Sequence, residues 1–244
     1  MPVNTVSSLR IVTLFEIIFK PLRAERKTMA AKKNVTPETD SMIGIVIPQI
    51  KTEDFTVKLV GDSPLIVHAW SEKAKKMMLD KQMKKATSGR EAKDPFQDFC
   101  DSLYWLTEKP KKPKMEDVLQ AKFGFPTLAF KAAAVDAGFQ QGVLAKKTTA
   151  RGAFHILGEF AVIDGIPEMR EDMCKVGMGT ADLRYRGEFK NWSTTLTIRY
   201  NPLAMSMEQI ITLLNFGGFA CGVGEWRPSR DGSYGTFHVA ADGE

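Results

Sequence analysis

The stretch GVGEWRPSRDGSYGTF, residues 222–237, combines residue types that bind phosphate and sugar groups. Gly222 and Gly224 lack a Cβ atom, so they can adopt positive φ angles and let a ligand approach the backbone closely. Arg227 and Arg230 supply guanidinium groups whose N–H donors match the oxygens of a phosphate. Together these residues predict a site for a sugar-phosphate chain.

Aromatic and acidic residues in the same stretch support two interpretations. Trp226 and Tyr234 offer flat faces on which unpaired bases can stack. Glu225 and Asp231 could instead pair with the arginines, which would make the stretch a glycine-rich hairpin turn without a ligand. The sequence leaves both interpretations open.

His68 stands near the end of the first predicted strand, before a lysine-rich segment. Imidazole can act as a general acid or base near neutral pH, and a nearby lysine could stabilise charge on a phosphate. No second catalytic partner is readable from the sequence. His155 and His238 lie in strand patterns, where a histidine satisfied within the sheet is the common outcome.

Other common catalytic and cofactor motifs are absent from the sequence. It has no P-loop, no GxSxG, no HExxH and no carboxylates paired at metal-binding spacing, so we expect neither a cofactor nor a metal. Cys100, Cys174 and Cys221 lie far apart without a CxxC pair. This usage predicts a reducing compartment and no structural disulfide.

The charge of the chain favours an anionic partner only where it is clustered. The net charge is +5, and residues 71–94 hold eight basic and four acidic residues. This segment is either a solvated helix face or a surface that binds a nucleic-acid backbone. In the second case Lys73, Lys76 and Lys84 are the candidate contacts.

The amino-terminal region has the composition of an extension. Its apolar run, residues 11–19, is about half of the ~20 residues that a membrane span needs, and Glu16 interrupts it. Met29 is a more natural first residue than Met1, so residues 1–28 are interpreted as an upstream extension. Residues 1–42 as a whole are predicted to be flexible, and the folded domain is predicted to begin at residue 43.

Alternating apolar and polar residues predict the strands. They lie at residues 55–61, continued beyond Pro64, and at residues 154–164, 189–200 and 234–240. Between the second and third of these strands, glycine, arginine and tyrosine predict a long connection or an inserted hairpin that faces a ligand.

Capping residues and glycines predict the helices. Ser71, Asp94 and Ser206 each precede a helical pattern as an N-cap. A further short helix is predicted over residues 125–138, ending at Gly138, and the last helix is predicted to end at the glycine pair 217–218.

The order of elements predicts the fold. It follows βαββαβ, which is an α+β arrangement of the ferredoxin-like or RRM-like type, with helices on one side of an antiparallel sheet. Residues 43–244 then form a single domain with helical and loop insertions at about 71–138 and 165–188. The uncovered sheet face and the cationic turn beside it are predicted to form one cradle for a polyanionic strand.

The glycine pattern at the end of the chain resembles a known family. Gly222, Gly224, Gly232 and Gly235, with basic residues between them, are similar to the glycine-rich loop of the repeat-associated mysterious proteins (RAMPs). These are RNA-binding subunits and processing enzymes of CRISPR systems. The segment FPTLAFKAAAVDAG resembles an early helix of that group, and GDSPLIVHAWSEKA resembles first-strand segments of uncharacterised bacteriophage proteins.

The resemblance implies a phage-derived protein in the cytoplasm of a bacterial host cell. It would hold single-stranded RNA or DNA as a homo-oligomer or as a subunit of a ribonucleoprotein or phage assembly. The short apolar run at residues 11–19 separately predicts that the protein has no membrane partner. Two alternatives remain: a metal-independent endoribonuclease that uses His68, as some members of the group use a histidine at the end of strand one, and a phage structural or partner-binding protein. The candidate nucleic-acid contacts are Arg227, Arg230, Trp226, Gly222, Gly224, Gly232, Gly235, Arg184, Tyr185, Arg186, Lys146, Lys147, Arg151, Lys73, Lys76 and Lys84.

Overall fold

The computed structural model describes residues 49–85, 92–176 and 180–241. The predicted extension, residues 1–42, lies outside the described residues. In chain order the elements are β1 (Glu53–Gly61), β2 (Leu65–Val67), α1 (Glu72–Gln82), α2 (Pro95–Ser102), α3 (Met115–Gln120), β3 (Phe123–Pro126), α4 (Thr127–Gln140), α5 (Lys147–Ala153), β4 (Phe154–Ile156), β5 (Phe160–Asp164), β6 (Pro167–Val176), β7 (Thr180–Phe189), β8 (Ser193–Tyr200), α6 (Met207–Phe216) and β9 (Phe237–Val239).

The strands form two antiparallel sheets, so the chain has a mixed α+β fold. The main sheet has the order β3-β5-β8-β1-β9, with β4 also paired to β8. The second sheet has the order β2-β7-β6. The elements β1, α4, β5, β8, α6 and β9 follow one another in the predicted βαββαβ order.

Helices α4 and α6 pack on one face of the main sheet. Val57 and Leu59 of β1 and Leu196 of β8 point into this buried layer because strand residues alternate between faces. Phe130 of α4 is fully buried, and its ring lies 5.6 Å from the ring of Phe237 on β9. The core therefore lies between the helices and this face of the sheet.

The other face of the main sheet is exposed. Thr56 on β1 lies opposite Thr197 on β8, and both are exposed. Further along the same strand pair, Arg199 donates two hydrogen bonds of 2.8 Å to the carboxylate of Asp54. Among the described residues, threonines and charged groups dominate this face at the centre of the sheet.

The long hairpin β6–β7 belongs to the second sheet. It pairs in register from Pro167 opposite Phe189 to Val176 opposite Thr180. This confirms the inserted hairpin that was one of the two predictions for the region. The segment beyond Pro64, predicted to continue the first strand, instead forms β2 and pairs with β7.

Glycines explain where helices and strands differ from the prediction. The helix predicted to end at Gly138 continues to Gln140. Gly138 is a packing position, because a Cβ there would come within 3.0 Å of the side chain of Leu213 on α6. Helix α6 likewise continues as a π-helical turn, Gly217–Cys221. The strand predicted over residues 154–164 divides into β4 and β5 around Gly158, whose φ is 85°.

The region predicted as an insertion over residues 71–138 contains part of the main fold. Strand β3 pairs with β5, and α4 supplies the buried layer on the main sheet. The alanine-rich composition of α4 allows the close approach to α6 and to the π-helical turn. No helix within residues 49–85, 92–176 and 180–241 is long and apolar enough to cross a membrane.

Candidate nucleic-acid interface

The glycine-rich loop, residues 222–236, is held by backbone hydrogen bonds to itself and to β2. Val223 donates to the carbonyl of Gly235 at 2.9 Å, and Glu225 donates to the carbonyl of Ile66 at 2.9 Å. Gly222 and Gly224 have φ angles of 62° and 81°, which L side chains rarely adopt. The glycines are therefore required by the backbone path of the loop.

Gly232 and Gly235 serve close contacts inside the loop. A Cβ at Gly232 would lie within 3.0 Å of the carbonyl oxygen of Trp226. A Cβ at Gly235 would lie within 3.0 Å of the carbonyl oxygen of Val223. Trp226 itself has a φ of 53° and is 41% exposed. The loop thus presents an aromatic ring from a strained backbone position.

Arg227 is held by neutral acceptors. Its Nη1 donates to the carbonyl of Gly224 at 2.8 Å, and its Nε donates to the hydroxyl of Ser229 at 3.0 Å. Arg230 ends the short 3-10 turn Pro228–Arg230, and its exposed side chain makes no contact with a described carboxylate. The alternative in which both arginines pair with Glu225 and Asp231 is therefore not what the described residues form.

A cavity of about 290 Å³ lies between the glycine-rich loop and α4; we call it the loop cavity. Alanines 129, 132 and 133 of α4 form one wall of the loop cavity, and Arg227 and Ser229 lie on the loop side. The residues that line it are His68, Tyr104, Phe125, Pro126, Ala129, Ala132, Ala133, Asp136, Cys221, Gly222, Val223, Gly224, Glu225, Arg227 and Ser229. An apolar wall opposite a guanidinium suits a ligand with a flat or sugar part and a phosphate.

His68 and Glu225 meet in the loop cavity. The Nδ1 atom of His68 lies 3.7 Å from Oε1 of Glu225. The interaction with His68 lowers the pKa of the Glu225 carboxyl, against the opposing effect of its partial burial, and Arg186 and Arg227 add to the lowering. Glu225 is thus an anion at neutral pH and can orient the imidazole.

Cys221 does not add a nucleophile to the loop cavity. Its side chain is buried, and burial raises the pKa of the thiol above its usual value. The thiolate required for nucleophilic attack is therefore scarce at neutral pH.

The loop cavity and the uncovered sheet face are separate surfaces. The loop cavity is lined by α4, which packs on the covered face, whereas the exposed threonines lie on the opposite face. This corrects the prediction of one cradle formed by both. The sequence could not show which side of the sheet the loop returns to, because that depends on the path from α6 to β9.

The hairpin β6–β7 contacts the glycine-rich loop through Arg170 and Tyr234. The guanidinium of Arg170 lies 4.7 Å from the ring centre of Tyr234, and it also pairs with Asp172 and Glu188 at 2.9 Å each. Arg186 is only 3% exposed and donates to Asp172 at 3.0 Å. We therefore assign Arg186 a role in holding the hairpin rather than a place on the surface.

The other predicted contacts on the hairpin lie away from the loop cavity. Nε of Arg184 lies 3.6 Å from Asp182, which also pairs with Lys93. Tyr185 lines a second cavity, and a hydrogen bond to Glu171 raises the pKa of its hydroxyl.

The predicted lysine contacts are spread over two helical regions. Lys147 of α5 pairs with Asp136 at 2.9 Å, whereas Lys146 and Arg151 are exposed. The remaining three lie on α1 or just after it, and α1 buries none of its residues. They are Lys73, Lys76 and Lys84.

The two sheet histidines have polar partners, as expected for satisfied sheet residues. Nδ1 of His238 lies 2.6 Å from Asp62, and Nδ1 of His155 lies 3.3 Å from Nζ of Lys131. Neither residue lines the loop cavity.

Sequence reasoning identified only some of the residues of the second cavity: His68, Arg184 and Tyr185 were candidates, whereas Trp70 and Asp98 were not. This cavity has a volume of about 360 Å³, is lined by α1, α2 and β7, and shares His68 with the loop cavity; we call it the helix cavity. Asp98 and Trp70 line it. Asp98 sits beside Phe99 in a helix whose apolar stripe indicates core, so no local pattern separates it from an ordinary solvated acid.

Comparisons with known proteins found distant structural likenesses. No protein-family model and no curated protein matches the sequence. Among solved structures, the crystal structure of Cmr6 from Pyrococcus furiosus is similar, with a TM-score of 0.40 and 9% identity over 78% of this chain and 98% of that chain. A chain of the cryo-EM structure of the Type III-B Cmr-beta bound to cognate target RNA is similar with a TM-score of 0.38 and 13% identity over 78% of this chain and 60% of that chain.

Proposed function

We propose that this protein binds single-stranded nucleic acid, RNA or DNA, at the glycine-rich loop and the loop cavity. The observation that carries the proposal is the state of Arg227. Its guanidinium lines a cavity and is oriented by a carbonyl and a hydroxyl instead of a carboxylate. Arg227 forms no ion pair with a described carboxylate, although its charge acts on nearby Glu225, so its guanidinium can bind a phosphate from a position that is set before the ligand arrives.

The surroundings of Arg227 support a nucleotide ligand. Trp226 and Arg230 are exposed on the same loop, so a base can stack beside a second cation. The alanine wall of α4 is apolar and without long side chains, which suits a base or a ribose. Backbone contacts at Gly222 and Gly224 would bring the sugar-phosphate chain close to the loop.

The first test removes the two loop cations. The double variant Arg227→Ala, Arg230→Ala should bind labelled single-stranded oligonucleotides more weakly. The slope of log affinity against log salt should become shallower by about 0.7 for each phosphate that the variant no longer neutralises. Fluorescence anisotropy at several salt concentrations measures both quantities.

The control for that test removes the same charge elsewhere. Arg199 and Lys190 both lie in surface ion pairs away from the loop, so Arg199→Ala, Lys190→Ala lowers the net charge equally. If the control weakens binding as much as the loop variant, binding depends on overall charge and the assignment to Arg227 is wrong.

We further infer a ferredoxin-like domain of the RAMP type that acts as a homo-oligomer or within a larger ribonucleoprotein. The strand order β9-β1-β8-β5, with α4 and α6 on one face, supports the ferredoxin-like interpretation. The positive φ angles of Gly222, Gly224 and Gly235 support the likeness to the glycine-rich loop of that group.

A second candidate function is metal-independent cleavage of RNA by His68. It is favoured by the proximity of His68 and Glu225 beside Arg227, since an imidazole near a carboxylate can move a proton while a guanidinium stabilises phosphate charge. Labelled RNA incubated in EDTA should then be cleaved. His68→Ala should abolish cleavage and leave binding unchanged, whereas intact RNA with the unaltered protein would exclude this candidate.

A further inference from the structure

The helix cavity has the features of a site for one flat, polar group. Trp70 and Tyr185 line it together with Met78 of α1, and Trp70 is 63% exposed. Aromatic faces in a cavity favour ligands that stack.

The carboxylate of Asp98 lines this cavity. Within the described residues, no side chain or backbone N–H donates a hydrogen bond to it, although it is partly buried. Burial raises the pKa of Asp98, and the nearby charge of Lys93 only partly opposes this. A ligand that donates hydrogen bonds to both carboxylate oxygens would supply partners that the described residues do not.

The other polar groups of the helix cavity already have partners. Asp101 accepts from Gln97 and from Lys109, and Asp182 accepts from Lys93. The hydroxyl of Ser102 donates to Phe99 and accepts from Gly187. Asp98 is therefore the acid in this cavity whose carboxylate can accept hydrogen bonds from a ligand.

We propose that the helix cavity binds a guanine base of a single-stranded nucleic acid. The Watson–Crick edge of guanine presents two adjacent N–H donors, which match the two oxygens of the Asp98 carboxylate. Adenine, cytosine and uracil do not present two adjacent donors on this edge. Trp70 and Tyr185 supply the faces on which the purine ring stacks.

Three carboxylates and two cations line the cavity, namely Asp98, Asp101 and Asp182 with Lys93 and Arg184. Asp101 is paired with Lys109, and Asp182 is paired with Lys93 and Arg184. Among the described residues Asp98 is thus the lining acid without an ion pair, and a neutral base can bind to it without adding a charge to the cavity. His68 lines both cavities, so a single-stranded nucleic acid bound at Arg227 would lie next to the helix cavity. The inference thus rests on the proposed function.

The test compares guanosine monophosphate with inosine and adenosine monophosphates, because inosine differs from guanosine only by the missing amino group. Tryptophan fluorescence of the full chain reports binding, and Trp70→Phe identifies the responding ring. GMP should bind about tenfold more tightly than IMP, the size of one good bidentate contact. Asp98→Asn should remove this preference, while Asp101→Asn, one helical turn away in the same cavity, should keep it.

Labelled heptamers with a single central guanine or inosine extend the test to strands. Arg227→Ala should weaken binding of both heptamers and leave their ratio unchanged. A ratio near one in the unaltered protein, or a preference that survives Asp98→Asn, overturns the guanine site and leaves the proposed function standing. If Arg227→Ala binds both heptamers as tightly as the unaltered protein does, the proposed function is overturned instead.

The protein-partner alternative has its own outcome. N-acetylarginine amide should produce no change in Trp70 fluorescence. If N-acetylarginine amide changes the fluorescence of Trp70, the change depends on Asp98 and GMP has no effect, the cavity binds a basic side chain and the guanine proposal is wrong. The comparison of GMP with IMP in the unaltered protein requires no variant to fold.

Discussion

Arg227 and Arg186 carry the same functional group in opposite environments. Arg227 lines a cavity and donates to a carbonyl and a hydroxyl, whereas Arg186 is buried against Asp172. In the sequence both appear as arginines near glycine and aromatic residues, so both were candidate contacts. What separates them is the direction in which each side chain points, which for Arg186 depends on the register of the hairpin.

The buried pair predicts a pH-dependent contribution to stability. Burial opposes the charge of Asp172, but hydrogen bonds from Arg170 and Arg186 hold its pKa below the usual value of 3.8. A carboxyl with a lowered pKa in the folded state stabilises the fold above pH 3.8, and this contribution is lost as pH falls through the lowered value. Asp172→Asn should therefore cost about 3 kcal/mol of unfolding free energy at pH 7.

Urea unfolding at pH 7 and at pH 3 measures this contribution. The difference between Asp172→Asn and the unaltered protein should shrink at the lower pH. Asp54→Asn is the matched control, because Asp54 pairs with Arg199 on an exposed face, where solvent screens the charges. Equal destabilisation of the two variants would show that burial does not strengthen the Asp172 pair.

At the scale of helices and strands, starts were easier to predict than ends. Ser71, Asp94 and Ser206 each accept a hydrogen bond from the first turn of the helix that follows, as their side chains predicted. The helix ends predicted at Gly138 and at the glycine pair 217–218 were wrong, because Gly138 and Gly218 occupy positions of close packing between elements. A glycine that ends a helix and a glycine that admits a neighbour look the same in a sequence.

This packing predicts a sharp difference between two glycine substitutions. A Cβ at Gly218 would come within 3.0 Å of the backbone carbonyl of Phe237, which cannot move away without shifting β9. Gly218→Ala should therefore lower the unfolding free energy by about 1–3 kcal/mol or more.

Gly152 in α5 is the control position for this prediction. No atom lies within 4 Å of a Cβ placed there. Gly152→Ala should stabilise the protein by about 0.5–1 kcal/mol, because alanine has the higher helix propensity. Thermal unfolding of both variants is the measurement, and an unchanged melting temperature for Gly218→Ala would contradict the packing argument.

At the scale of the whole molecule, the order of strands and helices could be predicted but the position of the binding site relative to the sheet could not. Alternation in β1 and β8 correctly indicated one buried and one exposed face. The predicted cradle assumed that the loop joins the exposed face, whereas the loop cavity forms against α4. Tyr185 was a predicted contact, but the helix cavity as a unit was missed for a related reason, since Trp70, Asp98 and Tyr185 are distant in sequence and meet only in the folded structure.

The unequal lengths of the outermost strands affect how copies of this chain can associate. In the part of the chain that the structure describes, the main sheet ends in β3 and β9, which are only 4 and 3 residues long. Such short borders give an incoming strand little backbone to pair with. The second sheet ends in β2, which is 3 residues long, and in β6, which is 10 residues long and carries Met169 and Met173 with their side chains exposed. Intermolecular β-augmentation and aggregation are therefore expected along β6, outside the main sheet.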